Sequence, residues 1–373
     1  MNSYQKSKKR LALFGAGVEG ERFYYYLSRQ GYIVEKIFDT FKKGNFHGKE
    51  IQTISDAVKN YFLLVTSYKY YEEIKLQLEK LGLREFFDFA YCYEGIKKLV
   101  LLNVNCYGCI LQEYLYTSED FKQNYYIHPL PAIQNNIGRQ IPEELLNACD
   151  VYIHQDIRWN NAYGYMLSDE YIGKKLRKDC INITIPNLVG LGKIFFPQGE
   201  VNDERNRRDD LMYGFFPYKD IVVDTLLKQG KSAEQIIEQI KQQGFYEEQY
   251  IIDNFYKIIE KYREREKGWD IKVIDYILEH YRARKLFYDI YHPVNEILEL
   301  IAGGVLKELG LDSNGISCDG NLGAYEMFLY PEVKKALGLE YSETEIRKTS
   351  KYKLMPQMDM EEYVKEYIYW CRN

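Results

Sequence analysis

The sequence predicts an α/β protein, in which a small Rossmann-like domain precedes a larger α/β domain with a mostly helical carboxyl-terminal part. Three observations predict this class. Short apolar runs typical of buried strands alternate with amphipathic stretches over the first half of the chain. A glycine-rich turn follows the first of these runs, and helical periodicity dominates the second half. Because 373 residues are enough for two domains, we place one at 1–95 and the other at 96–373.

Composition narrows the classes of function. A net charge of −5 argues against wholesale nucleic-acid binding. The sequence has no run of about 18 apolar residues, and the stretch from Leu11 to Phe14 is too short for a signal peptide, so we expect a cytoplasmic protein without a membrane span. Seven irregularly spaced cysteines predict thiols rather than a disulfide framework. We expect no metal site, because the histidines are scattered and Cys106 and Cys109 have no second CxxC.

Strands and helices alternate along the first ninety residues. We predict strands at 11–14, 32–39, 61–66 and 86–91, and helical stretches that end near 29, begin near 55 and cover 70–81. Because a full dinucleotide-binding fold needs two β-α-β halves, this unit is an abbreviated one.

A glycine turn opens this first domain. Gly15, Gly17 and Gly20 lie between the first strand and the first helix, and Asp39 ends the second strand. Glycines allow close approach of a ligand, the helix start offers N–H groups to a phosphate, and an acid in this window binds ribose. We expect a nucleotide or nucleotide-sugar here; a scaffold that has lost its ligand is the alternative.

This stretch resembles the amino-terminal domains of bacterial sugar acyltransferases and related sugar-modifying enzymes. Those domains share the strand, the GxGxxG-type turn, the strand that ends in Asp, and a G-x-x-I loop, here Gly48 to Ile51. The resemblance covers 1–92 and implies nucleotide-sugar binding rather than redox chemistry. A nicotinamide-dependent oxidoreductase is the competing interpretation.

A second pattern begins near residue 97. We predict strands at 98–103, 150–155 and 179–185, and short helices at 110–116 and 142–148. Residues 190–208 read as a loop, and we predict helices at about 219–228, 232–242, 247–265, 270–286, 293–309, 342–350 and 360–371. Pro293 in a first turn and Gly310 just past the end are typical of helix termini.

Cys106 is the candidate nucleophile. It follows a buried strand and precedes a helix, so it is exposed at a turn where the helix start favours a thiolate. A structural thiol is the alternative. Cys106 and Cys109 also form a CxxC after a strand, which is the context of a thioredoxin-like redox motif.

Asp289 and His292 form the second candidate group. An Asp three residues before a His can orient the imidazole, which then acts as a base. Pro293, Asn295 and the small residues 302–304 follow, and they make the motif more specific than a lone histidine.

This pairing resembles the SGNH (GDSL-type) hydrolase fold, in which a nucleophile follows the first strand and a DxxH precedes the last helix. Cys106 stands where that family has serine. The departure argues against ordinary hydrolysis and suits transfer from a thioester, because moving an acyl group between two sulfurs is nearly neutral in energy.

Residues 98–311 resemble the WcbI family of capsular polysaccharide biosynthesis proteins. The matching segments are Asn105-Cys106, 141–145, 150–155, 185–187, 196–198 and His292-Pro293. Tyr107 departs from the pattern, which has Gln there. The resemblance implies an acetyltransferase that binds coenzyme A, uses acetyl-CoA and modifies a surface sugar.

Further residues gain roles within that resemblance. Gln155 ends a strand and can donate to an oxyanion, or it is only a polar strand end; Asn187 has the same two interpretations. His154 points to the opposite face of the strand. Several cations could bind the phosphates of coenzyme A or simply be solvated: Arg158, Lys193, Arg205, Arg207 and Arg208.

The WcbI resemblance, taken together with these residues, implies an acetyl-CoA-dependent sugar O-acetyltransferase. His292, oriented by Asp289, activates Cys106 or the sugar hydroxyl, while Gln155 and backbone N–H groups stabilise the oxyanion. Acetyl-cysteine and direct transfer both stay open, as do the acceptor sugar, the acyl group and the oligomeric state. The expected partners are a small-molecule donor and a sugar or polysaccharide acceptor. The alternatives are an SGNH-type carbohydrate esterase and a non-catalytic nucleotide-sugar-binding protein.

Overall fold

A computed structural model of the chain describes residues 2–158, 160–201, 216, 218–242, 245–323, 325–341 and 359–372. The protein has the predicted α/β class. It divides into two compact units, the first made of Met1–Gly108 and Ser118–Ile183 and the second of Cys109–Thr117 and Thr184–Asn373. The division near residue 95 stays a prediction.

The first sheet lies wholly in the first unit. Its strands are β1 (Arg10–Phe14), β2 (Val34–Phe38), β3 (Asn45–Phe46), β4 (Lys49–Gln52), β5 (Tyr61–Val65) and β6 (Phe89–Tyr91). The order is β3-β4-β2-β1-β5-β6, and every pair is parallel except β3 with β4. The chain thus adds strands first on one side of β1 and then on the other, as in a doubly wound sheet.

Helices cover both faces of this sheet. They are α1 (Ser3–Ser7), α2 (Val18–Arg29), α3 (Tyr71–Lys80) and α4 (Cys92–Ile96), and a 3₁₀ turn covers Asp56–Asn60. Alternate β1 residues face different cores: Leu11 packs in the cluster that contains Leu27 of α2, and Ala12 in the cluster that contains Leu78 of α3. This two-sided burial explains why β1 and β5 are almost wholly apolar.

A second sheet follows along the chain. Its strands are β7 (Lys98–Asn103), β8 (Tyr125–His128), β9 (Val151–Gln155) and β10 (Ile181–Ile185), in the order β10-β9-β7-β8. Its helices are α5 (Gly108–Thr117), α6 (Glu119–Asn124), α7 (Glu143–Ala148) and α8 (Asp169–Gly173). The sequence did not predict β8. Asp150 joins β9 to β7 by accepting a 2.9 Å hydrogen bond from Leu99 N.

The carboxyl-terminal part is mostly helical, as predicted. A short antiparallel pair, β11 (Gly199–Val201) and β12 (Tyr218–Asp220), precedes the helices. They are α9 (Ile221–Lys228), α10 (Ala233–Lys241), α11 (Glu248–Glu266), α12 (Ile274–His280), α13 (Asn295–Glu308), α14 (Pro331–Leu337) and α15 (Met360–Arg372). The helix predicted at 342–350 lies outside the described residues. None of the described helices has the length and apolar character needed to span a bilayer.

Two predicted helices have the wrong bounds. The helix predicted over 270–286 is only α12, because the Glu266 carboxylate accepts from Ile274 N at 2.9 Å and marks the start of that helix. The helix predicted from Pro293 begins at Asn295. Pro293 instead pairs with Phe287 in an isolated β-bridge.

Candidate functional site

Cys106 lies at the tip of a tight turn between β7 and α5. The Asn105 side chain accepts from Tyr107 N at 3.2 Å, and the Asn105 carbonyl accepts from Gly108 N at 2.9 Å. An Asx-type turn of this kind fixes the backbone on both sides of the thiol. Cys106 is half-buried, and all seven cysteines are thiols, as predicted.

Gln155 holds this turn from the neighbouring strand. Parallel pairing of β7 and β9 brings their carboxyl ends together, and Gln155 Oε1 accepts from Asn105 N at 3.0 Å. Its side chain also forms a hydrogen bond with the Tyr107 hydroxyl. Burial raises the pKa of that hydroxyl, and the bond to Gln155 lowers it by less, so the pKa stays above its usual value. Gln155 therefore anchors the segment that carries the thiol. Its role as an oxyanion donor stays a prediction.

Two tyrosines interact electrostatically with Cys106: Tyr107, which is buried, and Tyr163, which is half-buried. Burial raises the pKa of Tyr107 and of Tyr163, and a negative charge on Cys106 raises both further. No sequence signal pointed to Tyr163, which lies 57 positions downstream in an irregular segment. His154 Nδ1 lies 2.8 Å from Asp169 Oδ1, and its place on the opposite face from Gln155 stays a prediction.

The structure brings Asp289 and His292 together, within the second unit. Asp289 Oδ2 lies 2.6 Å from His292 Nδ1, and Oδ1 accepts from the backbone N–H groups of His292 at 2.9 Å and Tyr291 at 2.7 Å. Asp289 is completely buried, whereas the His292 side chain keeps 16% of its surface exposed. One carboxylate thus fixes both the backbone and the ring of the histidine.

The segment before β11 packs tightly on this loop. A Cβ atom at Gly192 would lie 2.1 Å from the carbonyl oxygen of Asp289, so only glycine fits there. Gly190 N donates to the carbonyl of Ile290 at 3.1 Å. The backbone of the Asp289–His292 loop is therefore held both by the Asp289 carboxylate and by the packed segment around Gly190 and Gly192.

The pairing sets the tautomer of His292. A carboxylate 2.6 Å from Nδ1 accepts the Nδ1 proton, which leaves the lone pair on Nε2. The hydroxyl of Tyr218, in β12, lies 3.5 Å from the same Nδ1, at the long limit of a hydrogen bond. No sequence pattern pointed to Tyr218. The arrangement can abstract a proton at Nε2 and stabilise the resulting imidazolium.

The residues predicted to bind coenzyme A are spread over both units. Asn187 and Lys193 lie in the second unit and are half-buried. The Asn187 side chain accepts from Val189 N at 3.3 Å, and the Lys193 carbonyl accepts from Asn254 at 3.3 Å. Arg158 lies exposed in the first unit. Arg205, Arg207 and Arg208 lie outside the described residues.

The glycine turn lies between β1 and α2, as predicted. A Cβ at Gly20 would lie 2.1 Å from the carbonyl oxygen of Gly15, so α2 can pack this closely only with glycine there. Gly17 caps α2. The Thr66 hydroxyl, after β5, donates to the Gly15 carbonyl at 3.1 Å and closes the turn.

Asp39 reaches into the glycine turn. Its Oδ2 accepts from Ala16 N at 2.7 Å, and its Oδ1 accepts from Phe41 N and Lys42 N, each at 2.8 Å. Burial raises the pKa of Asp39, but these backbone donors and the charge of Lys42 outweigh it and hold the pKa below its usual value. The carboxylate therefore already uses one N–H group that a phosphate would need.

Both the sequence and the fold are similar to those of known proteins. A family model described as the polysaccharide biosynthesis enzyme WcbI matches residues 99–314, more than half of the chain. A solved structure of WcbI, described as the native protein without a disulfide bond between coenzyme A and one of its cysteines, superposes with a TM-score of 0.58 at 17% identity. It covers 74% of this chain and 90% of its own. No curated protein matches the sequence significantly.

Proposed function

Because the chain belongs to the WcbI family of polysaccharide biosynthesis enzymes, we propose that it is a cytoplasmic O-acetyltransferase. It moves an acetyl group from acetyl-CoA to a hydroxyl of a surface polysaccharide or of its sugar precursor. The observation that carries the chemistry is the pair of Asp289 and His292, with a buried carboxylate 2.6 Å from the ring nitrogen. This pair provides a base of defined tautomer for the acceptor hydroxyl.

The proposed transfer uses Nε2 of His292 as a general base. Nε2 takes the proton of the acceptor hydroxyl as its oxygen attacks the thioester carbon of acetyl-CoA. The carbon–sulfur bond then breaks, and the thiolate of coenzyme A takes up the proton from Nε2. The products are an acetyl ester and free coenzyme A. Asp289 stabilises the imidazolium that exists between these two proton transfers.

We assign to Cys106 the contact with the thioester of acetyl-CoA. The solved WcbI structure is described as the native protein without a disulfide bond between coenzyme A and a cysteine, and we assign the part of such a cysteine to Cys106. In a covalent route the Cys106 thiolate attacks the thioester carbon and coenzyme A leaves as its thiolate. The sugar oxygen then attacks the acetyl-cysteine, its proton passes through Nε2 of His292 to the thiolate of coenzyme A, and Cys106 leaves as a thiolate. Its position at the tip of a turn held by Asn105 and Gln155 supports this assignment. Intact-protein mass spectrometry with acetyl-CoA alone distinguishes the routes, because only the covalent one adds an acetyl group to the protein.

The test measures coenzyme A release from acetyl-CoA with a panel of saccharides, by chromatography. We expect His292→Ala to lose activity by at least about 100-fold, the range of a general base. Cys106→Ala loses activity in the covalent route and binds acetyl-CoA more weakly in the direct one. Cys109→Ala is the matched control: it removes an exposed thiol three residues away and leaves activity unchanged. Full activity in both Cys106→Ala and His292→Ala would disprove the proposal.

A carbohydrate esterase is the second candidate, since the Asp289–His292 pair could activate water equally well. An esterase releases acetate from an acetylated sugar without coenzyme A. Acetate release at the same rate with and without coenzyme A would favour it.

The predicted nucleotide-sugar site at the glycine turn is a separate proposal. The doubly wound strand order supports it. The hydrogen bond from Ala16 N to Asp39 opposes it, because a phosphate would have to displace a carboxylate. Thermal-shift measurements with UDP-sugars and NAD(P) test this proposal independently of acetyl transfer.

A further inference from the structure

A cavity of about 500 Å³ lies within the first unit. Its walls come from α3, from residues 83–86, from β6 and α4, and from the ends of β8 and α7. Neither Cys106, Gln155 nor the glycine turn lines it. Its volume is in the range of pockets that bind small molecules, and no proposed step of acetyl transfer uses it.

Aromatic rings form one wall. Tyr91 lies at their centre, with ring centroids 5.7 Å from Tyr68, 5.9 Å from Tyr71 and 6.4 Å from Tyr126. Tyr68 has 73% of its surface exposed, although its ring carries a large apolar face. Amphipathic rings suit a ligand that has both apolar faces and polar edges.

Carboxylates also line the cavity and give part of its wall a polar, acidic character. Glu85 accepts from the Tyr71 hydroxyl at 2.7 Å through Oε1 and from Lys75 Nζ at 2.5 Å through Oε2, so its orientation is fixed. Burial lowers the pKa of Lys75, but the bond to Glu85 and its charge outweigh this and raise it. Lys75 and Glu85 therefore form an ion pair in the wall of the cavity.

Glu94 is buried, at 4% exposure, and lines the cavity. Its Oε1 lies 2.7 Å from His128 Nδ1. A carboxylate has two oxygens and several lone pairs, so Glu94 can also accept from a hydroxyl or amino group of a ligand.

The overall charge of the lining restricts the ligand further. Among the residues that the structure describes, five glutamates line the cavity, against one lysine, one arginine and one histidine. Phosphate groups would be repelled, so neither coenzyme A nor a nucleotide-sugar suits this cavity. Hydroxyl and amino groups, which donate to carboxylates, suit it well.

Phe86 lines the cavity and has an unusual backbone conformation. It adopts φ +63°, a left-handed conformation rare for an aromatic residue, and it is buried. Its N–H donates to the Phe89 carbonyl at 2.7 Å, and its ring meets the edge of His128 at 6.2 Å. Conformations of this kind are retained mostly where a site requires them.

We propose that this cavity binds a saccharide that carries no phosphate, with Tyr68 and Tyr91 against its apolar face and with Glu85 and Glu94 accepting from its hydroxyl or amino groups. The site goes beyond acetyl transfer and holds a glycan on the first unit. Its binding is measured without acetyl-CoA, so the failure of one proposal leaves the other intact.

Saturation-transfer NMR on the full chain tests the proposal. The probes are methyl glycosides of glucose, galactose, mannose, N-acetylglucosamine and glucosamine, with UDP and UDP-glucose as phosphate-bearing competitors. We expect at least one methyl glycoside to bind and to resist displacement by UDP. Tyr68→Ala should weaken its binding up to about tenfold, as the loss of one aromatic contact does.

Matched variants separate binding from folding. Tyr25→Ala removes a half-exposed tyrosine of α2 that does not line the cavity and should leave binding unchanged. Glu94→Gln keeps the shape of the side chain but weakens its acceptor, and it should also weaken binding. The proposal is wrong if no methyl glycoside binds at tens of millimolar, if Tyr68→Ala and Glu94→Gln both bind like the wild type, or if UDP displaces the bound glycoside.

Discussion

Replacing Asp289 by Asn is the most informative single change, because it alters charge and tautomer while it preserves shape. Asn keeps an oxygen that can accept from the backbone N–H groups of His292 and Tyr291, which Asp289 Oδ1 now bonds at 2.9 and 2.7 Å. The atom that faces His292 Nδ1 then becomes an amide nitrogen. An amide N–H donates to Nδ1, so the ring proton moves to Nε2, and the atom proposed as the base loses its lone pair.

The size of the effect follows from this geometry. The Asp289 carboxylate lies 2.6 Å from the ring nitrogen and is completely buried, so solvent cannot compensate for the loss of its negative charge. Asp-to-Asn changes in catalytic Asp–His pairs lower kcat by about 10,000-fold, or about 5.4 kcal/mol of transition-state stabilisation. The change in folding stability should be much smaller, about 1 kcal/mol, because the backbone hydrogen bonds survive with a neutral acceptor.

Two assays decide the outcome. Coenzyme A release, with the acceptor that gives the highest rate, should fall by about 10,000-fold in Asp289→Asn. Nitrogen-15 NMR of the histidine ring should show the proton on Nδ1 in the wild type and on Nε2 in the variant. A variant within tenfold of wild-type activity, or one that keeps the proton on Nδ1, would refute the reasoning.

Two further predictions concern stability. Gly20→Ala should lower the free energy of unfolding by about 1–3 kcal/mol, measured by urea denaturation, because its Cβ would meet the Gly15 carbonyl oxygen at 2.1 Å; Gly17→Ala, with open space around it, should change little, and equal effects would contradict this. Burial raises the pKa of Asp220 to about 7. The folded carboxyl therefore holds its proton more tightly than the unfolded one, and up to about 4 kcal/mol of stability is lost between pH 4 and 7. Asp220→Asn should flatten this fall in thermal midpoint, and an unchanged slope would count against it.

Periodicity predicted most of the fold, because β1, β5, β7 and β9 are buried on both faces and stand out as apolar runs. It missed β8, whose Tyr125–His128 is short and aromatic and is recognisable only from its pairing with β7. Helix bounds failed where a distant side chain set them. The Glu266 carboxylate, which marks the start of α12, is one such case.

The candidate site was predicted only in part. The DxxH spacing was enough to bring Asp289 to His292, because residues three apart can meet in a turn. Gln155 was singled out as a strand end, but its hydrogen bond to Asn105 N depends on the parallel register of β7 and β9.

The cavity proposed to bind a saccharide could not be predicted from the sequence. Residues from α3 to α7, about 70 positions apart, line it, and no local motif records that they meet. The hydrogen-bond donor to Asp39 could not be predicted from the sequence either. The position of Asp39 predicts a contact with ribose, which stays a prediction; the structure adds that the carboxylate accepts from Ala16 N inside the turn.

Carbon-13 NMR of labelled acetyl-CoA with the enzyme and a saccharide acceptor tests the central claim most directly. We expect the thioester carbonyl signal to be replaced, one for one, by the signal of an acetyl ester on a sugar oxygen, and we expect His292→Ala to abolish this conversion. A label that stays in the thioester with every acceptor, or that appears only as free acetate, would contradict the account.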